Sequence, residues 1–181
     1  RFTSGMLVDD GGRFSLAGRV HPRAEPEIAF LMKKELSGPV SLPAAMAAVE
    51  AVACAIEIID SRYENFKFTL PDVIAANCSC CGLVVGGWRR PEEDFGNLGM
   101  VLQFNGRPVG IGSSAAIMGH PARTLVAIAQ LLGDLLGVER LAAVEGGADR
   151  GAAAAFGAAV PIEYVLPVET VHLGDAEVLF F

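Results

Sequence analysis

The strongest constraint on this chain is an apolar stretch, residues 24–31, that carries two glutamates two positions apart. As a β-strand it places Glu25 and Glu27 on one face, because successive side chains of a strand point to opposite sides. Pro26 cannot donate a ladder hydrogen bond, which favours an edge strand or the first residues of a strand. Adjacent carboxylates repel each other unless a cation lies between them. The stretch therefore indicates either a divalent-metal site or a solvated acidic face.

A second apolar stretch, residues 54–60, supplies a third carboxylate. Its β-branched residues alternate, which predicts a strand with Glu57 on one face. A carboxylate is costly to bury in so apolar a strand unless it is paired or ligated. Glu57 could complete a three-carboxylate site, which without Cys or His suits Mg²⁺ or Mn²⁺. The alternative is a structural ion pair with Arg62 or Lys67.

Composition limits the fold and the partners. The 181 residues, of which 52% are hydrophobic and 19% charged, are enough for one sizeable domain with a real core. The net charge of −7 argues against nucleic acid or an anionic membrane as a partner, and leaves small molecules or proteins. No apolar run is long enough to span a bilayer.

Three crowded cysteines, Cys78, Cys80 and Cys81, cannot form an ordinary extracellular disulfide framework, so a cytoplasmic location is expected. Their spacing is also poor for a metal–thiolate site, which favours buried small side chains. His120 stands directly before a proline at the start of a predicted helix, where a structural cap is favoured over a catalytic role.

The rest of the pattern predicts a mixed α/β domain. Ser41 is a suitable helix N-cap, and strong helix formers follow it. Asn105-Gly106 is a hairpin signal between two apolar runs. The predicted elements are a helix over 44–53, strands over 99–104 and 109–117, a helix from 121 to about 136, and a last strand over 173–180.

Two segments together resemble the fumarylacetoacetate hydrolase superfamily. Residues 21–30 read His-Pro-Arg-Ala-Glu-Pro-Glu-Ile-Ala-Phe, and residues 55–68 read Ala-Ile-Glu-Ile-Ile-Asp-Ser-Arg-Tyr-Glu-Asn-Phe-Lys-Phe. They resemble most the branch of 2-oxopent-4-enoate hydratases and 4-oxalocrotonate decarboxylases, with the aromatic-rich end of the second segment closer to the decarboxylases. The resemblance implies a fumarylacetoacetase C-terminal-like fold, a rolled β-sandwich or barrel with flanking helices. It also implies that residues 1–181 form a single catalytic-type domain lacking the family's N-terminal part.

The resemblance further implies a site. The residues that match the family's metal-binding carboxylates are Glu25, Glu27 and Glu57, which would take Mg²⁺ or Mn²⁺. Lys67 and Ser79 fall in segments that line the family's active site. Arg62 or Lys67 is expected to hold the departing carboxylate of the substrate, and the alternative for both is a solvated or helix-capping cation.

The implied function is decarboxylation of a short unsaturated 2-oxo dicarboxylate such as 4-oxalocrotonate (2-oxohex-3-enedioate), a step of aromatic catabolism. The alternative at the same site is hydration of 2-hydroxypenta-2,4-dienoate or another reaction of a 2-oxo acid. Ala76 and Glu145 stand where the family usually has an acid and a threonine, which leaves open a degenerate partner subunit or a repurposed biosynthetic protein. The family also implies a homo-oligomer and a complex with a hydratase homologue.

Overall fold

Strands are the most extensive regular structure in the residues that this computed structural model describes, which are 2–36, 38–136, 153–155, 164–165, 171–172 and 176–180. In chain order the strands are β1 (Leu7–Val8), β2 (Arg13–Phe14), β3 (Pro22–Met32), β4 (Val49–Asp60), β5 (Cys80–Val85), β6 (Gly99–Phe104), β7 (Arg107–Ser113), β8 (Ala153–Ala155), β9 (Tyr164–Val165), β10 (Val171–His172) and β11 (Ala176–Phe180). The α-helices are α1 (Leu42–Ala47), α2 (Leu70–Ala75) and α3 (Arg123–Leu136), and short 3-10 helices lie at Ser4–Met6, Glu64–Phe66, Asn77–Ser79 and Ser114–Ala116.

A six-stranded sheet forms the centre of the described fold, in the order β1-β5-β4-β3-β8 with β9 also paired to β3. The long strands β3 and β4 are antiparallel over their whole length, and β5 continues the sheet on the far side of β4. Smaller sheets combine β11, β6 and β7, and β10 with β2. The mixed α/β class predicted from the sequence is confirmed.

The two faces of the β3–β4 pair differ in side-chain size. One face carries the large apolar residues, among them the fully buried Phe30 and Ile58, which belong to separate core clusters. Helix α3 covers the first cluster through the buried Leu125. The opposite face carries the small buried residues Ala29, Ala53 and Ala55 beside Leu83. This alanine-lined face is also the one that carries the glutamates of β3 and β4.

Several sequence predictions are confirmed with shifted boundaries. The Ser41 hydroxyl accepts a hydrogen bond from the backbone N–H of Ala44 at 3.3 Å, so the predicted N-cap is present. The β6–β7 hairpin turns at Asn105 and Gly106, whose φ angles of 50° and 70° are both left-handed. Among the residues described, no helix is both long and apolar enough to cross a membrane.

Two sequence predictions are wrong. The first helix ends at Ala47 instead of continuing over 44–53, because the chain from Val49 onward pairs with β3 as β4. This is a tertiary override of local helix propensity. Pro26 does not lie in an edge strand, since β3 has β4 on one side and β8 and β9 on the other. In the described pairing β8 contacts residues 29–31 of β3, and β9 contacts residues 23–24. Pro26 lies between these two contacts.

Gly82 of β5 offers a test of this packing. A Cβ at this position would lie 2.7 Å from Cε2 and 3.1 Å from Cδ2 of the buried Phe14 ring. We expect Gly82→Ala to lower the free energy of unfolding by about 1–3 kcal/mol, measured by urea denaturation of the metal-free chain. Gly87→Ala is the control, because no atom lies within 4 Å of its Cβ position, and it should change that free energy by less than about 1 kcal/mol.

Candidate metal centre

Three carboxylates converge on the alanine-lined face of the β3–β4 pair. In the strand register Glu25 lies directly opposite Glu57, and Glu27 follows on the same face of β3. One carboxylate oxygen from each of the three residues lies within 4.8 Å of the others. Alternation along β3 predicted that Glu25 and Glu27 share a face. The register that brings Glu57 to them is a property of the folded sheet.

Burial makes this cluster electrostatically unfavourable without a cation. Glu27 is only 2% exposed, and its Oε2 has no hydrogen-bond partner among the described residues. Burial, followed by the charges of Glu57 and Glu25, raises the pKa of Glu27 well above its ordinary 4.5. Burial also raises the pKa of Glu57, although a hydrogen bond with the Cys80 side chain opposes this effect. A hard divalent cation such as Mg²⁺ or Mn²⁺ fits this site, because the site offers oxygen donors, crowded negative charge and a buried oxygen without a partner among the described residues.

The alternative ion pair of Glu57 is not formed. Among the described residues Glu57 makes no salt bridge with Arg62 or Lys67, and both of these side chains are exposed. Neither Arg62 nor Lys67 therefore offsets the negative charge that Glu57 brings to the other two glutamates.

A cleft of about 360 Å³ opens at the end of β4 and reaches the side chain of Cys80. It is lined by predicted site residues Arg62 and Ser79, and also by Ala76, the position that departs from the family pattern. Because Cys80 also contacts Glu57, its side chain connects the cleft to the carboxylate cluster. Lys67 is not among the residues that line this cleft, and its side chain is exposed.

Arg19 lines the same cleft, although it was not predicted as a site residue from the sequence. The Asp60 carboxylate accepts hydrogen bonds from the backbone N–H groups of Val20 at 2.9 Å and His21 at 2.8 Å, and so ties this loop to the end of β4. The Arg19 guanidinium also lies 4.9 Å from the centre of the Phe14 ring. A single arginine in a loop gives no sequence signal, because these contacts join segments that are far apart in the chain.

The segment before β5 has an unusual backbone. Asn77, Cys78 and Ser79 have φ angles of 56°, 54° and 60°. Consecutive non-glycine residues in the left-handed region are rare and carry strain, which is often found at functional sites. This backbone presents the buried Ser79 to the cleft, whereas Cys78 is exposed.

The expectation of buried cysteines is confirmed for Cys80 and wrong for Cys78, which is exposed, while Cys81 is intermediate. His120 serves as a structural cap, since its Nδ1 accepts a hydrogen bond from the Ala122 N–H at 3.1 Å and its ring packs on Phe95. Glu145, where the family usually has a threonine, lies outside the described residues.

Comparison with known proteins decides the family. No family model matches the chain. A 4-oxalocrotonate decarboxylase from Pseudomonas sp is 60% identical over 131 residues, which are 72% of this chain and 51% of that protein. The chain belongs to this family, the decarboxylase and hydratase branch of the fumarylacetoacetate hydrolase superfamily. The 2-hydroxyhexa-2,4-dienoate hydratase of Comamonas testosteroni, from the same branch, is 40% identical over 136 residues, 72% of this chain and 52% of that protein.

A solved structure of the family agrees with the fold. The 4-oxalocrotonate decarboxylase from Pseudomonas putida G7, complexed with magnesium and adipate, superposes with a TM-score of 0.68 at 30% identity. The match covers 97% of this chain and 59% of that chain, and it confirms the predicted fumarylacetoacetase C-terminal-like fold. The chain spans about half the length of the curated relatives it matches.

Proposed function

We propose that this chain carries the metal centre of a lyase that decarboxylates a short unsaturated 2-oxo dicarboxylate such as 4-oxalocrotonate. The observation that carries the proposal is the convergence of Glu25, Glu27 and Glu57 around a buried carboxylate oxygen without a partner among the described residues. The 60% identity to a 4-oxalocrotonate decarboxylase supports the substrate class. The adipate in the related structure is a six-carbon dicarboxylate, as 4-oxalocrotonate is.

In this proposal the three glutamates hold Mg²⁺ or Mn²⁺. The fit rests on their oxygen donors, their mutual proximity and the raised pKa of Glu27, since a cation would replace the missing partner of that buried carboxylate. The cation supplies Lewis-acid stabilisation of the negative charge that develops on the 2-oxo group.

The residues of the cleft suit the far carboxylate of the substrate. Arg62 and Arg19 each bring a guanidinium to the cleft, and the planar fork of N–H donors on this group matches the geometry of a carboxylate. The Ser79 hydroxyl is a further hydrogen-bond donor. Lys67 is exposed outside the cleft, and we propose that it attracts the dianionic substrate towards the site through its charge.

The reaction balances without a redox partner. The bond between the terminal carboxylate and its neighbouring carbon breaks, and CO₂ leaves. The electron pair passes through the conjugated double bond to the 2-oxo oxygen, and protonation there gives 2-hydroxypenta-2,4-dienoate. Cationic cleft residues must hold the carboxylate in the orientation that aligns the breaking bond with this conjugated system.

A hydratase is the second candidate, and the 40% identity to a 2-hydroxyhexa-2,4-dienoate hydratase favours it specifically. The two are distinguished by supplying the Mn²⁺-loaded chain with 4-oxalocrotonate and, separately, with 2-hydroxypenta-2,4-dienoate. Release of one CO₂ per 4-oxalocrotonate consumed supports the decarboxylase. Consumption of the dienoate alone supports the hydratase. Metal binding without either turnover supports the degenerate partner subunit or a repurposed protein.

Arg62 provides a test of the cleft. We expect Arg62→Gln to raise KM for 4-oxalocrotonate by about 10–100-fold, because one charge-assisted hydrogen bond to the substrate carboxylate is lost. Arg62→Lys should recover part of the loss, since it restores the charge but not the planar fork. Arg107→Gln, in the β6–β7 hairpin, is the control and should leave KM unchanged. An unchanged KM in Arg62→Gln would place the substrate carboxylate elsewhere.

The assembly and location belong to the same proposal. Phe68, Leu70 and Ile74 are 41%, 71% and 60% exposed, and this apolar surface supports a homo-oligomer or a complex with a hydratase homologue. Light scattering of the chain alone and mixed with a hydratase of the family tests both. The cytoplasm remains the proposed location, supported by cysteine spacing that does not suit disulfides.

A further inference from the structure

A β-bulge between β4 and β5 selects which cysteine faces the carboxylate cluster. Glu57 lies opposite Leu83, and Ile58 opposite Gly82, but Ile59 lies opposite Cys80, so the ladder skips one residue of β5. A regular ladder would place the skipped residue on the Glu57 face, because directly opposed residues of antiparallel strands share a face. The bulge puts Cys80 there instead. Bulges near functional sites often change the direction of a side chain in this way.

The two neighbouring thiols consequently have different partners. The Cys81 thiol donates to the backbone carbonyl oxygen of Ile58 at 3.2 Å, inside the bulge. The Cys80 thiol is hydrogen-bonded to the Glu57 carboxylate. Cys80 is 8% exposed and also lines the cleft, so it stands between the cleft and the carboxylate cluster.

We propose that Cys80 is a positioning residue, whose S–H donates to the Glu57 carboxylate and fixes the orientation in which Glu57 meets the divalent cation. The proposal rests on the proposed function, because it assigns Glu57 to the metal. Partners of this kind, which hold a metal ligand without touching the metal, commonly change metal affinity by about 10–100-fold when they are removed.

The geometry agrees with a donor role. The bulge turns Cys80 to the face of the sheet that carries Glu57, and a cysteine S–H group is a weak hydrogen-bond donor.

The test is a calorimetric Mn²⁺ titration of the wild-type chain and of three variants. We expect Cys80→Ala to bind Mn²⁺ about tenfold more weakly or worse, and Cys80→Ser to stay within about threefold of wild type because its hydroxyl replaces the donor. Cys54→Ala is the matched control. It removes a partly buried cysteine from β4, the strand of Glu57, at a position that pairs with Ile28 on the face away from the glutamates.

An infrared measurement on the metal-free chain separates this proposal from the proposed function. The Cys80 S–H stretching band, identified by its loss in Cys80→Ala, should move in Glu57→Gln, because the acceptor of the hydrogen bond has changed. Wild-type Mn²⁺ affinity in Cys80→Ala, or an S–H band that does not move, overturns the positioning role while leaving the metal site intact. Failure of the wild-type chain to bind Mn²⁺ overturns both.

Discussion

Glu57→Gln should lower kcat/KM for Mn²⁺-dependent decarboxylation of 4-oxalocrotonate by about a thousandfold or more. The change keeps the shape of the side chain but replaces an anionic ligand by a neutral amide, which removes attraction for the cation and with it several kcal/mol of transition-state stabilisation. Steady-state release of CO₂, at a Mn²⁺ concentration that saturates the wild type, measures the effect.

Glu50→Gln is the matched control for this experiment. Glu50 lies in the same strand, β4, but its side chain is exposed, so its substitution should leave kcat/KM within about twofold of wild type. Mn²⁺-dependent activity that survives in Glu57→Gln would show that Glu57 does not bind the metal. A parallel loss in Glu50→Gln would point to general damage to β4 instead.

Glu27→Gln should stabilise the metal-free chain and remove most of the stabilisation that metal gives. In the metal-free chain the variant removes a buried carboxylate that lies next to Glu25 and Glu57, so we expect the free energy of unfolding near neutral pH to rise by about 1–3 kcal/mol. Mn²⁺ at about a hundredfold excess over its dissociation constant should stabilise the wild type by about 2.7 kcal/mol. The variant should gain little, because it has lost a ligand. Thermal unfolding with and without Mn²⁺ measures both effects.

The sign of the pH dependence follows from the raised pKa of Glu27. The folded chain binds the proton more tightly than the unfolded chain, so Glu27 favours folding at low pH. That contribution is lost as the pH rises from 4.5, the ordinary value, through the raised pKa. The metal-free wild type should therefore lose stability over this window more steeply than Glu27→Gln does. Identical slopes in urea denaturation would contradict the burial of this carboxylate, and Glu92→Gln, at an exposed position, is the control.

The individual strands and the pairing of glutamates within β3 could be predicted from the sequence, because alternation is a local property. Recognition of the family also relied on local motifs around Glu25 and Glu57. The position of Glu57 directly opposite Glu25 depends on a register that is fixed only when β3 and β4 pair. The motif made Glu57 a candidate ligand, and the register supplied the geometry.

Other features depend on contacts between distant segments and could not be predicted. The first helix stops at Ala47 because pairing with β3 stabilises β4 from Val49 onward, although the local sequence favours a longer helix. Arg19 reaches the cleft because Asp60 holds the adjacent backbone. The position of Cys80 depends on one skipped residue in the β4–β5 ladder, which leaves no pattern in the sequence.

Calorimetric titration of the metal-free chain with Mn²⁺ near neutral pH shows whether the three glutamates hold a divalent cation. We expect saturable binding of one Mn²⁺ per chain. The binding should weaken on acidification, because protons compete for Glu27 and Glu57, and it should disappear in Glu57→Gln. Absence of Mn²⁺ binding by the wild type, or equal binding by Glu57→Gln, would contradict this metal site.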